Sequence, residues 1–351
     1  MAKREVGEKR GGVVLYRKYR PATFTEVRGQ EHVVSALQAA VKHGTIAHAY
    51  LFAGGRGLGK TSMARILAKT LGTDEQDIYE MDAASNRGIE EIRALREGVL
   101  TLPFASEYKF YIIDEAHALT KDAWGAFLKT LEEPPAHAIF VLATTELDRV
   151  PETIRSRCQT FQFKKPSREV LKKLALDIAK KESASLSPAG AELIAMMGDG
   201  SFRDTISILQ KVLTVSEDSE LSQEEVAKVV GAPAAVLVNG FLRSLAKKDL
   251  AGAIKVFHKA TAEGAEPKTF ILLVLVKIRG VLLLRFAPKL DGELSEQFGE
   301  DDTRLLKELA GKEGSAINAN LLAELITAYM ETARAPLPEL PLELALYRAV
   351  G

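Results

Sequence analysis

The sequence predicts an α/β domain with a five-stranded parallel sheet, followed by two smaller all-helical domains. Five short apolar runs lie between residues 49 and 163, and segments with helical spacing of apolar residues separate them. Strands that alternate with helices form parallel sheets covered by helices on both faces. The five runs are AYLFA (49–53), DIYEMD (77–82), KFYIID (109–114), AIFVLA (138–143) and QTFQF (159–163).

After Pro166 the strand pattern stops and the apolar spacing becomes helical. Ser187 and Ser201 stand where helix N-caps are expected, and the polar stretch 216–222 is typical of a loop. The predicted helices of this region are 167–183, 187–198, 200–213 and 224–231, and the later helical pattern breaks at 264–267 and 287–293. These changes place an α/β domain at 1–165, a helical lid at 166–231 and a helical C-terminal domain at 232–351.

The composition is ordinary for a soluble globular protein, with 46% hydrophobic and 27% charged residues. Equal numbers of basic and acidic residues, 47 each, give no net charge and no general indication of nucleic-acid binding. The one cysteine, Cys158, excludes an intrachain disulfide and a thiolate-rich zinc site. Residues 1–12 lack the apolar segment of a signal peptide, and charges interrupt the apolar stretch 270–286. We therefore expect a cytoplasmic protein that does not bind a membrane.

The most informative stretch follows the first predicted strand. Gly54, Gly59, Lys60 and Thr61 match the phosphate-loop pattern G-x4-G-K-[ST], with a strand before it and a helix after it. A chance match in a glycine-rich turn is the alternative, which the two correct flanks disfavour. Lys60 is expected to reach the β- and γ-phosphates of ATP, and the Thr61 hydroxyl to bind Mg²⁺. The residues predicted to bind nucleotide here are Gly54, Gly55, Arg56, Gly57, Leu58, Gly59, Lys60, Thr61 and Ser62.

Two adjacent carboxylates end the third predicted strand. Buried charge without a partner is costly, so packing alone does not explain Asp114 and Glu115 after four apolar residues. We expect Asp114 to hold Mg²⁺ and Glu115 to polarise the attacking water as general base. An exposed strand end is the alternative. His117 is expected to be structural.

Further motifs make the chain similar to the clamp-loader ATPases of the AAA+ class, and specifically to the gamma/tau subunits of bacterial DNA polymerase III. The resemblance is dense over residues 15–212 and weaker beyond them. The strings that carry it are YRKYRPATFTEVRGQEHVVSAL (16–37), AHAYLFAGGRGLGKTS (47–62), DAASNRGIEEIR (82–93), YIIDEAHALT (111–120), LKTLEEPP (128–135), FVLATTELDRVPETIRSRCQTFQF (140–163) and GSFRDTISILQK (200–211).

The resemblance implies roles for residues outside the phosphate loop. Tyr16, Arg17, Arg20 and Pro21 would surround the adenine and ribose. Thr145 matches the sensor-1 position, Arg203 matches the sensor-2 position, and Arg157 matches an arginine finger that reaches the ATP of a neighbouring subunit. A surface ion pair is the alternative for Arg157.

Other residues of these motifs carry less specific expectations. Lys129 faces either a subunit interface or solvent, while Glu132 and Glu133 are expected to be structural and Cys158 a small buried apolar group. The resemblance places residues 85–87 near template phosphates, and the alternative for Ser85 is a helix N-cap.

The implied function is an ATP-dependent motor that loads a sliding clamp on primed DNA, acting within a DNA-directed DNA polymerase holoenzyme. The implied partners are copies of the chain itself, delta and delta-prime subunits in a pentamer, the beta sliding clamp and primer–template DNA. One alternative is a scaffold subunit that does not hydrolyse ATP, like delta-prime, which the presence of Lys60, Thr61, Asp114 and Glu115 disfavours. Another is an AAA+ remodeller or helicase, and a third is an archaeal replication factor C small subunit.

Two features depart from the family pattern. The family carries a four-cysteine zinc module after the phosphate-loop helix, whereas this chain has only GTDEQ (72–76) there, so no zinc is expected. The chain also ends with a segment, PLPELPLELALYRAV, that resembles the close of the family's collar domain. A short, gamma-like form is therefore expected.

Overall fold

The computed structural model describes residues 14–216, 219–290, 292, 298, 300–312 and 314–350. The chain divides into two compact units, Met1–Ser222 and Gln223–Gly351. The predicted α/β domain and most of the predicted lid share the first unit, because lid helices pack against elements of the α/β domain. The division of the chain into three domains stays a prediction. Residues 1–13 lie outside the described part.

The first unit contains the predicted five-stranded parallel sheet. Its strands are β1 (Ala49–Ala53), β2 (Ile78–Asp82), β3 (Lys109–Asp114), β4 (Ala138–Thr144) and β5 (Gln159–Gln162). Their order across the sheet is β2-β3-β4-β1-β5, and all neighbours are parallel. All carboxyl ends therefore meet at one edge, where open parallel sheets bind ligands. β1 lies between β4 and β5, so the loop after it is central in that edge.

Helices cover both faces of the sheet, which is why the central strands are continuously apolar rather than alternating. Every residue of β1 and β4 is buried. One face packs through Tyr50, Phe52 and Phe110, and the other through Phe127 and Phe140. The helices of this region are α1 (Leu15–Lys18), α2 (Glu31–His43), α3 (Lys60–Thr70), α4 (Ile89–Val99), α5 (Lys121–Glu132) and α6 (Glu152–Arg155).

Three capped helices follow: α7 (Arg168–Lys181), α8 (Pro188–Met197) and α9 (Phe202–Val215). The Ser187 and Ser201 side chains accept hydrogen bonds from Gly190 N and Asp204 N, as the N-cap prediction requires. The prediction that no strand follows Pro166 was wrong in one detail. Ser185–Leu186 (β6) pairs in parallel with Glu220–Leu221 (β7), inside the stretch predicted as a loop. Two residues are too few to show a strand period, and their pairing is long-range.

The second unit is helical and has its own core. The break predicted at 264–267 is confirmed, whereas the break at 287–293 lies partly outside the described residues. Phe241, Phe257 and Phe270 pack against one another at its centre. Its helices are α10 (Gln223–Val229), α11 (Ala235–Ala246), α12 (Leu250–Ala262), α13 (Pro267–Phe286), α14 (Glu300–Ala310), α15 (Ala319–Thr332) and α16 (Leu340–Val350). None of the helices searched in the described part of the chain combines the length and apolarity needed to span a bilayer.

Candidate functional site

The phosphate-loop sequence lies between the end of β1 and the start of α3, at the carboxyl edge of the sheet. Gly54, Gly57 and Gly59 have φ values of 148°, 73° and 95°, a region that favours glycine. A β-carbon on Gly54 would stand 2.6 Å from the Phe163 carbonyl oxygen, whereas one on Gly59 would meet nothing within 4 Å. Leu58 is buried and anchors the loop in the core. The glycines thus allow a tight turn whose end opens to free space.

Lys60 begins α3 and is only 6% exposed. Its Nζ donates to the carbonyl oxygens of Gly54 (2.8 Å) and Gly55 (2.9 Å), and it forms no ion pair with any carboxylate of the described residues. Burial lowers the pKa of the Lys60 ammonium, and the charges of Glu115 and Asp114 oppose that shift. A buried cation with neutral hydrogen-bond partners is a favourable place for an anion.

The start of α3 adds to this preference for an anion. Its N-cap, Gly59, supplies no side chain, so the first-turn N–H groups receive no side-chain cap. Those N–H groups and the helix dipole favour a phosphate at this position. The loop, Lys60 and the helix start therefore fit the triphosphate of a nucleotide.

The two predicted carboxylates, Asp114 and Glu115, lie beside this loop and accept hydrogen bonds from predicted site residues. Thr61 Oγ1 donates to Asp114 Oδ2 at 2.8 Å, which joins the two predicted Mg²⁺ ligands. Asp114 Oδ1 accepts from Glu115 N at 3.0 Å. Thr145 Oγ1 donates to Glu115 Oε2 at 3.0 Å, so the predicted sensor and the predicted base are in direct contact. Hard oxygen donors at Thr61 and Asp114 suit Mg²⁺.

Glu115 occupies a strained position, and the sequence did not predict its surroundings. Its φ is 49°, in the left-handed region, which is uncommon for a residue other than glycine. His117, predicted to be structural, has Nδ1 at 3.1 Å from Thr144 Oγ1 and 3.5 Å from Glu115 Oε2. Its Nε2 lies 3.3 Å from Glu146 Oε1. The histidine thus contacts the predicted base, and a short 3₁₀ turn after the strand brings it there.

The region between α1 and the lid brings further predicted residues together. Arg20 Nε donates to Ser62 Oγ at 2.9 Å, and burial lowers the pKa of its guanidinium. The Arg203 guanidinium lies over the Tyr16 ring at 5.5 Å. The lid contacts the loop directly, because Phe202 N donates to Gly57 O at 3.1 Å.

Three predicted residues of this group make fewer contacts. Pro21 is half-buried. Arg17 and Arg56 are exposed, and their side chains form no hydrogen bond or ion pair with a described residue. The geometry therefore brings Tyr16, Arg20 and Arg203 to one place and leaves Arg17 and Arg56 facing solvent.

Arg157 lies away from its own phosphate loop. It precedes β5, whereas the loop follows β1, and because the two strands are parallel these positions are at opposite edges of the sheet. Arg157 Nη2 pairs with Glu132 Oε1 at 2.8 Å, and Nη1 donates to Thr153 O at 2.7 Å. The ion pair that was the alternative for this residue is present, and the finger role stays a prediction. The contact with Glu132 was not predicted, because nothing in the spacing links 132 to 157.

The remaining predicted residues are placed as follows. Gly88, not Ser85, is the N-cap of α4, so the alternative of a helix N-cap at Ser85 does not hold. The backbone first turns at Asp82, where Ser85 N and Asn86 N donate to Asp82 O. Lys129 is exposed on α5. Cys158 is half-buried against the sheet core, and burial raises the pKa of its thiol to about 12.

Comparison with known proteins links both units to one group of replication proteins. A family model described as DNA polymerase III, delta subunit, matches residues 29–88 and 77–167. A second, described as DNA polymerase III subunits gamma and tau domain III, matches residues 221–351. Among solved structures, the Thermotoga maritima RuvB Holliday junction branch migration motor is 25% identical with a TM-score of 0.52, covering 65% of this chain and 79% of its own.

Curated relatives extend over most of the chain. The Bacillus subtilis DNA polymerase III subunit tau is 37% identical over 315 residues, which are 84% of this chain and 56% of the relative. The Mycobacterium tuberculosis subunit gamma/tau is 34% identical over 351 residues, 93% and 59% respectively. The Escherichia coli subunit tau is 35% identical over 300 residues, 78% and 46%. This chain therefore spans about half the length of these relatives. Its AAA+ fold, its C-terminal helical match and these relatives show that the chain belongs to the DNA polymerase III gamma/tau family.

Proposed function

We propose that this chain is an ATP-hydrolysing motor subunit of a clamp loader, which uses ATP binding and hydrolysis to load a sliding clamp on primed DNA. One observation carries the proposal. The buried Lys60 ammonium and the uncapped start of α3 face the Asp114–Glu115 pair, so an anion-binding cradle lies beside two carboxylates. Membership of the gamma/tau family supports the clamp-loader context.

The cradle residues bind and orient the triphosphate. The loop N–H groups and Lys60 would contact its phosphate oxygens, and Arg20 and Tyr16 would border the base and ribose. When bound, Mg²⁺ neutralises charge that develops on the phosphates. Thr61 and Asp114, already hydrogen-bonded to each other, would hold that ion.

Glu115 orients and activates the attacking water in this proposal. Its Oε2 accepts a hydrogen bond from the Thr145 hydroxyl. Each of these two groups must therefore release the other before it can bind a different partner. A phosphate that draws the Thr145 hydroxyl away would free Glu115 for water. Arg203 is the second residue of α9, next to Phe202, whose N–H contacts Gly57, and it would report the same phosphate to the lid.

Arg157 requires a second subunit. Because it lies at the sheet edge opposite its own loop, it would neutralise transition-state charge only on ATP held by a neighbour. The proposed assembly contains copies of this chain with delta and delta-prime subunits, and it acts on a beta clamp and primer–template DNA. Residues 85–87, before α4, are proposed to lie near the DNA phosphates.

A second candidate, a DNA-remodelling motor, is favoured by the likeness to RuvB. The two candidates differ in what stimulates hydrolysis. We expect ATPase activity of the chain, assembled with its partner subunits, to rise when the clamp and primed DNA are both present and to rise less with either alone. Phosphate-release assays with each component measure this. Hydrolysis that ignores the clamp, or that responds to branched DNA alone, would contradict clamp loading.

A further inference from the structure

We infer that Glu132 is a positioning residue for Arg157, holding the guanidinium in the orientation in which it reaches a neighbouring subunit's nucleotide. The inference rests on the proposed function, since it assumes that Arg157 acts in trans. It starts from the contact between Arg157 Nη2 and Glu132 Oε1 at 2.8 Å. Neither residue type nor spacing marks Glu132 for this task, because it ends α5 and lies 25 positions before Arg157.

The placement of Glu132 opposes the ordinary preference of a helix. It is the last residue of α5, where the helix dipole disfavours an acidic side chain. The Arg157 guanidinium supplies the positive charge that compensates it. The position of Glu132 at an unfavourable helix end is therefore explained more simply by its contact with Arg157 than by a contribution to the stability of α5.

The arginine is held from two sides. Nη2 donates to Glu132 Oε1, while Nη1 donates to Thr153 O at 2.7 Å in the short helix α6 and to Ser156 Oγ at 3.5 Å. Two fixed points orient a planar guanidinium, whereas one leaves it free to rotate. A guanidinium has five N–H groups, so Nε and one N–H on Nη2 stay without an acceptor among the described residues. Those outer donors are the ones available to a phosphate.

Partial exposure keeps the pair accessible. The Arg157 and Glu132 side chains are 35% and 44% exposed. An exposed ion pair contributes little to stability, so the pair is poorly explained as a stabilising element of the fold. It does reduce the rotamer freedom that Arg157 would otherwise lose on binding a phosphate. Preorganisation of this kind acts on turnover rather than on nucleotide affinity.

The test compares four variants with the wild-type chain, each assembled with partner subunits, clamp and primed DNA. Arg157→Ala is expected to lower kcat by about 10³-fold. Glu132→Ala is expected to lower kcat by about tenfold, within the range that misplacement of a catalytic group costs, with KM for ATP unchanged. Glu132→Gln keeps an acceptor for Nη2 and is expected to recover most of the loss. The double variant is expected to match Arg157→Ala, because Glu132 acts only through Arg157.

Glu133→Ala is the matched control. Glu133 is the next residue, is also exposed, and forms no ion pair with any described residue. It is expected to turn over like the wild type, and thermal unfolding of all variants checks that they fold.

The outcomes separate this inference from the proposed function. If Arg157→Ala keeps full turnover, the finger role fails and the inference falls with it. If Arg157→Ala is slow while Glu132→Ala matches or exceeds the wild type, only the inference is overturned; a faster variant would mean that the pair restrains the arginine. A double variant that is a further tenfold slower than Arg157→Ala would also overturn it.

Discussion

Two buried lysines, one in each unit, differ in the partners of their ammonium groups, and we propose that one serves binding and the other folding. Lys60 and Lys277 are 6% and 7% exposed, and burial lowers the pKa of both ammonium groups. Lys277 Nζ contacts Asp302 Oδ1 at 2.6 Å and Asn239 Oδ1 at 2.7 Å, so its charge is compensated within the second unit. Within the described part of the chain, Lys60 Nζ hydrogen-bonds only to two backbone carbonyl oxygens. The difference supports the proposal that a bound anion supplies the ion-pair partner of Lys60.

A third buried lysine sharpens the contrast. Lys109 also lacks a carboxylate partner among the described residues, but its Nζ donates to Gly98 O and Thr101 Oγ1 and lies 4.9 Å from the Tyr79 ring. Lys109 thus has a hydroxyl and an aromatic ring beside its ammonium group, whereas Lys60 lies beside a glycine loop in which a β-carbon on Gly59 would meet nothing within 4 Å. Burial alone therefore does not mark a binding lysine; burial beside an open, uncapped helix start does.

Methionine replaces the charge of a lysine with a side chain of similar length. We expect the larger effect of this substitution at Lys60. We expect Lys60→Met to weaken binding of ATP with Mg²⁺ by about 10²- to 10³-fold, since removing one partner of a buried charged contact costs about 2–5 kcal/mol. Without nucleotide, the free energy of unfolding should change by no more than about 1 kcal/mol, because two hydrogen bonds are lost and a buried charge is relieved. Calorimetric titration and thermal unfolding measure the two effects, and unchanged affinity would contradict the assignment.

The same substitution at Lys277 is expected to have the opposite profile. Lys277→Met should lower the free energy of unfolding by about 2–3 kcal/mol, below the usual cost of breaking a buried pair because Asp302 is 26% exposed. Nucleotide affinity should not change. Lys277→Met combined with Asp302→Leu removes both charges and should recover much of the stability. A stable single variant would break the comparison, since Lys277 would then carry no structural charge.

A smaller effect is expected at the loop that surrounds Lys60. Gly57 and Gly72 have similar φ values, 73° and 75°, so alanine at either should cost about 1 kcal/mol through backbone strain. A β-carbon on Gly57 would also lie 2.1 Å from Ser201 Oγ, whereas one on Gly72 meets nothing within 4 Å. Gly57→Ala should therefore cost about 1 kcal/mol more, because Ser201 must give up its cap on α9. Equal unfolding temperatures for the two variants would show that the lid does not contact the loop in solution.

Most of the first unit could be predicted from sequence because its signals are local or repeated. The three central strands β3, β4 and β1 are nearly continuous buried runs, and the Ser187 and Ser201 caps depend on neighbours three residues away. The pairing of β6 with β7 escaped prediction since it joins two-residue segments far apart in the chain. The N-cap alternative for Ser85 fails because the chain turns at Asp82 before α4 begins, which leaves Gly88 at the cap.

The candidate site likewise contains residues that the sequence predicts and residues that it does not. The phosphate loop and the Asp114–Glu115 pair are contiguous motifs, and the structure brings them together through Thr61. His117 and Glu132 contact predicted site residues from separate segments of the chain, and both were expected to be only structural. Their contacts depend on how a 3₁₀ turn and a helix end are oriented, which no periodicity records.

The proposed function depends above all on a nucleotide phosphate that pairs with the buried Lys60 ammonium. The most direct measurement is a calorimetric titration of the purified chain with ATP and Mg²⁺, alone and together with its partner subunits. We expect one nucleotide to bind per chain, with affinity that falls when Mg²⁺ is removed. A titration that shows no binding in either setting would contradict this expectation and leave Lys60 a buried cation without a counter-charge.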